Sequence, residues 1–433
     1  MRKFQALSLS AALLASLLLG GCANNAASSD AASSDSAASE PEATPEPTPA
    51  PPAANPLTGA ADADYTGKRP VAVTLRNMTG STPQWGIASA DVLVEGVTEG
   101  TTASLMALYA NPDSIAKAGP VGPARDLLLQ VALPLNAVPV HIDKNIYASN
   151  LLNTLAYQDL DGYHIGKTAF AFDQDRQNAG YAEENCWYTT AELINSGLAS
   201  YGVSLNGDNT PLFQFGERPA VDPADRSGMN LTITFSPDDI DCLNYDTGTG
   251  LYALSNGDGS PVQDADNGQQ VGFTNGFVFY ASSGIKDDGY TRQYDMTAGT
   301  GLYLHGGAWE RINWTKEDAT GPFAITNEAG ETLVVSQGKS FIAIWGGYYG
   351  QSISLTAADG SAQTLPDKPA LLESGISEEA AAAAEAPKAP DAPSLTLNPT
   401  VAPEDAAEAQ KVRDANAVKL DESQLTEAER KMV

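Results

Sequence analysis

The sequence predicts an α+β protein. A mixed α/β sheet domain over residues 55–228 is followed by a mainly antiparallel β domain over 229–348, between disordered tails. Three observations predict it. Between Arg69 and Ser196, short apolar runs alternate with amphipathic helical stretches. From Met229 onward the apolar period becomes two, and Gly, Asn and Asp fill the gaps. Beyond both ends aromatics vanish, and Ala, Ser, Pro and Glu take over.

Residues 1–21 read as a signal peptide. Arg2 and Lys3 form a basic start, and Leu7 to Leu19 is apolar but shorter than the roughly 20 residues a membrane span needs. The stretch ends in Leu19-Gly20-Gly21-Cys22. An apolar residue, two small ones and a Cys form the lipobox pattern, in which the thiol accepts diacylglycerol. The mature chain is expected to begin at Cys22, lipid-attached to the cell membrane on its extracytoplasmic face. Residues 22–54 carry five acidic groups and no Lys or Arg, with alternating prolines from Pro41 to Pro52. They read as an extended, disordered tether. Residues 371–433 read as a disordered Ala/Glu/Pro tail with 13 acidic and 6 basic residues.

In the first domain, Val71–Leu75 is a buried strand. Pro83 to Ala90 makes a helical turn, and Asp91–Val97 and Ala103–Tyr109 are strands split at Glu99-Gly100. Pro123 to Leu133 is the best helix, opened by Pro123 and ended by Pro134. Val138 to Ile142 is the next strand, placed at an edge because Pro139 lacks an N–H. Ile146 to Tyr157 is a second helix with Leu151, Leu152 and Leu155 inward. In the second domain, strands are expected at Leu231–Phe235, Phe277–Tyr280, Gly301–Leu304 and Leu333–Val335, with turns at Asp246–Gly248, Asn256-Gly257, Asp266–Gly268 and Glu328–Gly330.

Several chemistries are excluded. With 24 Lys+Arg against 54 Asp+Glu, the formal charge is −30, so nucleic acid is not a partner. The three histidines, His141, His164 and His305, fall in no zinc pattern, and no nucleophile elbow exists. Gly162 to Thr168 is one residue short of a phosphate loop. Asn256-x-Asp258-x-Ser260 and Asp264-x-Asp266 fit hairpin turns better than calcium loops. No metal and no cofactor are expected. Cys186 and Cys242 read as two buried free thiols, although a disulfide between them is chemically allowed outside the membrane. The five tryptophans read mainly as core.

Ordered motifs carry a family resemblance. They are Asn55-Pro56-Leu57-Thr58-Gly59, Arg69 to Val73 with Asn77, Pro83 to Ile87 with Ala90-Asp91-Val92 and Glu95, Gly119-Pro120-Val121 with Ala124-Arg125-Asp126, and Val140-His141. Phe235-Ser236-Pro237, Tyr245-Asp246, Asp266 to Gly268 and Trp309 to Lys316 continue it. Over most of 55–345 the chain resembles the YerB-like bacterial lipoproteins. The resemblance implies location and architecture, with no established chemistry. Against the family pattern, Gly122 stands in place of an Arg, Thr101 to Ser104 holds no Arg, and Glu183 to Thr189 lacks a His. An anion bound at the family site would be held poorly here.

Asn77, Glu95, Arg125, His141 and Asn185 are the candidate binding residues, because polar groups at strand ends and helix starts converge on sheet edges. The bland alternative is structural, with Glu95 and Arg125 as a buried ion pair. The expected function is an envelope binding module for wall polymer or an envelope protein partner. The alternative is an envelope hydrolase with Glu95, Asp126 and His141 as acid/base groups.

Overall fold

The structure is a computed structural model and describes residues 52–372 except 79, 218–220, 224 and 349. The signal peptide, Cys22 and nearly all of the tether and tail therefore lie outside the described residues.

Strands β1 (Val71–Leu75), β2 (Val92–Glu99) and β3 (Thr102–Tyr109) open the fold. Helix α1 (Asp126–Ala132) leads into β4 (Val138–His141), and α2 (Ile146–Thr154) into the two-residue β5 (Leu160–Asp161). Helix α3 (Ala191–Tyr201), capped by Thr190, closes this half. Then come β6 (Asn230–Ser236), β7 (Asp239–Asp246), β8 (Leu251–Asn256) and β9 (Gly272–Phe273). Five longer strands and one final strand follow: β10 (Asn275–Tyr280), β11 (Ala298–His305), β12 (Ala308–Thr315), β13 (Ala324–Asn327), β14 (Ser340–Trp345) and β15 (Ser352–Thr356).

An N-terminal mixed α/β sheet is thus followed by mostly antiparallel strands, as the sequence predicts. Ten strands form one sheet in the order β13–β12–β11–β10–β14–β2–β3–β1–β4–β5. The seam between the two halves is the parallel pair β14 and β2, running from Val92 beside Ser340 to Gly96 beside Ile344. A second, antiparallel sheet has the order β9–β8–β7–β6–β15.

The large sheet buries both faces. Leu93, Val97, Leu105 and Val73 pack toward the second sheet with Leu231, Ile233 and Leu243. Val92, Val94, Met106 and Ala72 pack toward α1 with Leu128, Leu129 and Val131. Strands buried on both sides read as continuous apolar runs. That is why Ser340–Trp345 carries no alternation and escapes a period-two reading.

Two expectations are corrected. Strand β4 is not an edge, because β5 pairs beyond it at Val140–Leu160 and His141–Asp161. The Val138 N–H points to β1, where it bonds Pro70 O, so Pro139 presents its missing N–H on the other side, before β5 begins. The first tail residues also dock, since Leu372 donates its N–H to Ser283 O. Cys186 and Cys242 are free thiols, and all five tryptophans are buried or nearly so.

Candidate functional site

The two sheets enclose a cavity of about 510 Å³. Leu93, Glu95 and Leu105 line it from the large sheet, and Asp239, Asp241 and Leu254 from the second. Glu95 occupies a position in β2 whose neighbours two residues away, Leu93 and Val97, are core. A carboxyl thus stands where the strand's alternation calls for an apolar side chain. Asp239 and Asp241 share one face of β7, and a register irregularity against β6 falls between Asp239 and Ile240. Such irregularities re-aim side chains beside functional sites.

Glu95 is 2% exposed and Asp241 7%. Asn77 donates Nδ2 to Glu95 Oε1 at 2.6 Å, and Gln84 donates Nε2 to Asn77 Oδ1 at 2.8 Å, which orients the amide. Burial raises the Glu95 carboxyl well above its ordinary value, the charges of Asp241 and Asp239 raise it further, and only the Asn77 bond opposes them. Glu95 and Asp241 lie within hydrogen-bond reach, and this contact also raises Glu95. Burial also raises Asp241, and Asp239 is pushed up to about 7 by burial and then by the Asp241 charge. The Oδ2 atoms of Asp239 and Asp241 are buried with no hydrogen-bond partner among the described residues. Three carboxyls that resist ionisation in one cavity can hold and deliver a proton near neutral pH.

The other sequence candidates go elsewhere. Arg125, at the N-terminal cap of α1, grips Glu99 rather than Glu95. Its Nε lies 2.7 Å from Oε1, and a second nitrogen donates to Oε2 at 2.9 Å. Glu99 ends β2, four residues past Glu95, so the structural ion pair exists with a different partner. Asp126 pairs with Lys286. Asn185 is buried and donates to Gly80 O at 3.2 Å. Glu95, Asp126 and His141 thus have separate partners and do not meet in one cavity, and Glu95 shares its cavity with Asp239 and Asp241.

His141 is fully buried at the end of β4. Its Nδ1 lies 2.9 Å from Asp143 O and its Nε2 2.9 Å from Asp159 Oδ2. With Asp159 and Asp161 it forms the one group of metal-ligating side chains found among the described residues. Lys144 already occupies the position between the two aspartates, donating to Asp159 Oδ2 at 2.8 Å and Asp161 Oδ2 at 3.0 Å. Burial opposes the Asp159 charge, but His141 and Lys144 override it and hold the carboxyl at about 2. Asp161 is held low in the same way. These donors are charge-balanced by a lysine, so the cluster fits a cation only if Lys144 withdraws.

The hairpin-turn reading of the acidic loops holds. Asp264 accepts the N–H groups of Gly86, Ala88 and Asp266, fastening one turn to another, and Asp258 caps Ser260. Sequence reasoning missed Asp239 and Asp241. Their only signal is the Asp239-x-Asp241-x-Leu243 alternation after the Ser236-Pro237 bend.

Residues 57–204 match the N-terminal domain, and 231–342 the C-terminal domain, of a family described as "Protein of unknown function (DUF3048)". The chain is 27% identical over 274 residues to YerB of Bacillus subtilis (strain 168), a protein named as a lipoprotein, covering 60% of this chain and 78% of YerB. The crystal structure of YerB from Bacillus subtilis superposes with a TM-score of 0.61 at 24% identity, over 70% of this chain and 99% of that one, which establishes likeness of fold. The matched domains run in the same order as the two halves of the fold, and the chain belongs to the YerB-like family.

Proposed function

We propose that this chain is a lipid-anchored protein of the extracytoplasmic face, and that it hydrolyses a cell-wall polymer in the Glu95 cavity. The anchor reading is supported by the Leu19-Gly20-Gly21-Cys22 lipobox and by a relative named as a lipoprotein. Among the described residues no helix is long and apolar enough to cross a membrane. Replacing Cys22 with Ser should release the protein from the membrane fraction or leave an uncleaved precursor. Membrane retention of a cleaved Cys22→Ser chain would refute the anchor.

The observation that carries the enzymatic reading is the buried Glu95 and Asp241 pair beside Asp239 in one cavity, with all three carboxyls raised above their ordinary values. One ionised carboxyl of such a pair activates water while its protonated partner protonates the leaving group. Carboxyls in hydrogen-bond contact stand closer than the roughly 5 Å of retaining glycosidases, so cleavage of an amide in the wall polymer fits better than cleavage of a glycosidic bond. Asp239 and Asp241 take the roles that sequence reasoning placed on Asp126 and His141.

Digestion of purified wall fragments, followed by counting the free amines released, tests this. Glu95→Gln and Asp241→Asn should each slow release by about 10²–10⁴-fold, the range for a lost acid or base. Release that is unchanged in both variants would sink the reading. A binding module is the second reading, favoured by the partnerless Oδ2 atoms of Asp239 and Asp241, which suit a ligand rich in N–H or O–H donors. Saturable wall-fragment binding without product would select it.

A further inference from the structure

Arg76 follows β1 and lines a second cavity of about 600 Å³, together with Met78, Thr82, Tyr181, Glu184 and Asn185. Met78 and Thr82 also line the Glu95 cavity, so the segment after β1 separates the two. The two cavities differ in their charged groups. Acidic residues, Glu95, Asp239 and Asp241 among them, line one, and Arg76 and Glu184 line the other.

Among the described residues that arginine has no ion-pair partner. Its Nε is buried with no hydrogen-bond partner among the described residues, and the side chain as a whole is half-buried. The Nε atoms of Arg125 and Arg176 are also without a hydrogen bond, but both side chains have other partners. Arg125 grips Glu99, and Arg176 donates to Ser81 O and Pro83 O while lying 4.2 Å from the Trp85 ring centre. Guanidinium stays charged in proteins, and a partly buried charge without an ion pair is costly. Burial works against the Arg76 charge and Arg125 repels it, while Glu184 and Asp143 favour it without reaching ion-pair distance. Asn185 adds a donor at the same wall, because one amide hydrogen holds Gly80 O and the second remains. Gly80 and Gly180 have positive φ and open space where a Cβ would stand, so the walls leave room.

We propose that this cavity binds an oxyanion, a phosphate or carboxylate group, with Arg76 as its charge partner and Asn185 as a second donor. The site is separate from the hydrolytic cavity and does not depend on that reading. The strongly negative chain repels anions at a distance, so saturable binding of one identifies a local site rather than a general basic surface.

The test titrates the full-length protein, in neutral detergent, with inorganic phosphate, with acetate, and with water-soluble dihexanoyl phosphatidylglycerol against its phosphatidylcholine counterpart. At least one anion should bind saturably, and Arg76→Gln should weaken it tenfold or more. The anion-free Arg76→Gln protein should melt at or above the wild-type temperature, because the substitution removes an uncompensated charge. Arg76→Lys should keep part of the binding. Phosphate or acetate binding assigns a soluble oxyanion, and binding of phosphatidylglycerol alone assigns a lipid headgroup. Absence of saturable binding to every probe, unchanged affinity in Arg76→Gln, or unfolding of that variant would overturn the proposal.

Discussion

Raising the pH from 4 to 8 should destabilise the folded chain by roughly 2–4 kcal/mol through the cavity carboxyls. The sign follows from the direction of their shifts. Asp239 is raised from an ordinary carboxyl value to about 7, and Glu95 and Asp241 are also raised. A carboxyl that the fold holds protonated contributes its full stability below the unfolded value, near 4. That contribution is lost as pH rises through the folded value, near 7. Asp159 and Asp161 act oppositely. Their values are lowered, to about 2 for Asp159, so their contribution is present above pH 4 and lost on acidification toward 2. Stability should therefore peak in mild acid. Growing negative charge also destabilises the chain at high pH, so the comparison is between wild type and Asp239→Asn. Urea midpoints measured across the range should fall for wild type and stay flatter for the variant. Parallel curves would mean that Asp239 ionises in the fold as readily as in water.

Arg125→Gln should cost about 3 kcal/mol, the lower end of the range for stranding one member of a buried pair. The side chains of Arg125 and Glu99 are 14% and 19% exposed, so solvent screens them in part. The loss has a structural reading. Arg125 ties the start of α1 to the end of β2, and Glu99 also receives Asn145 from the start of α2 at 3.4 Å. With Arg125 gone, Glu99 keeps the weak Asn145 donor and loses its ion pair. The double variant Arg125→Gln with Glu99→Gln should recover most of the stability, because removing both charges removes the stranded one. A loss below about 1 kcal/mol in Arg125→Gln would place the pair among ordinary surface ion pairs.

How far the sequence carries depends on which physical signals are local. Val71–Leu75 and Ala103–Tyr109 stand out because turn residues bound short apolar runs. The seam between β2 and β14 joins residues some 250 positions apart by backbone bonds, and no periodicity encodes a partner. Glu95 was legible because a carboxyl interrupts Val92-Leu93-Val94 and Gly96-Val97. Asp239 and Asp241 were not, because an acidic stretch after Ser236-Pro237 reads as a solvated turn until its sheet packs against the large one. Arg125 and His141 were legible as polar groups beside apolar elements. Their partners Glu99 and Asp159 depend on the packing of α1 and on the pairing of β4 with β5.

Carbon NMR of protein labelled at the Asp and Glu carboxyls tests the central claim most directly, since each carboxyl shift reports its own protonation. The account predicts at least one carboxyl titrating near pH 7, lost in Asp239→Asn, and a Glu95 signal still protonated where exposed carboxyls are ionised. Titration of every carboxyl below pH 5 would contradict it, because the cavity would then hold no proton to deliver.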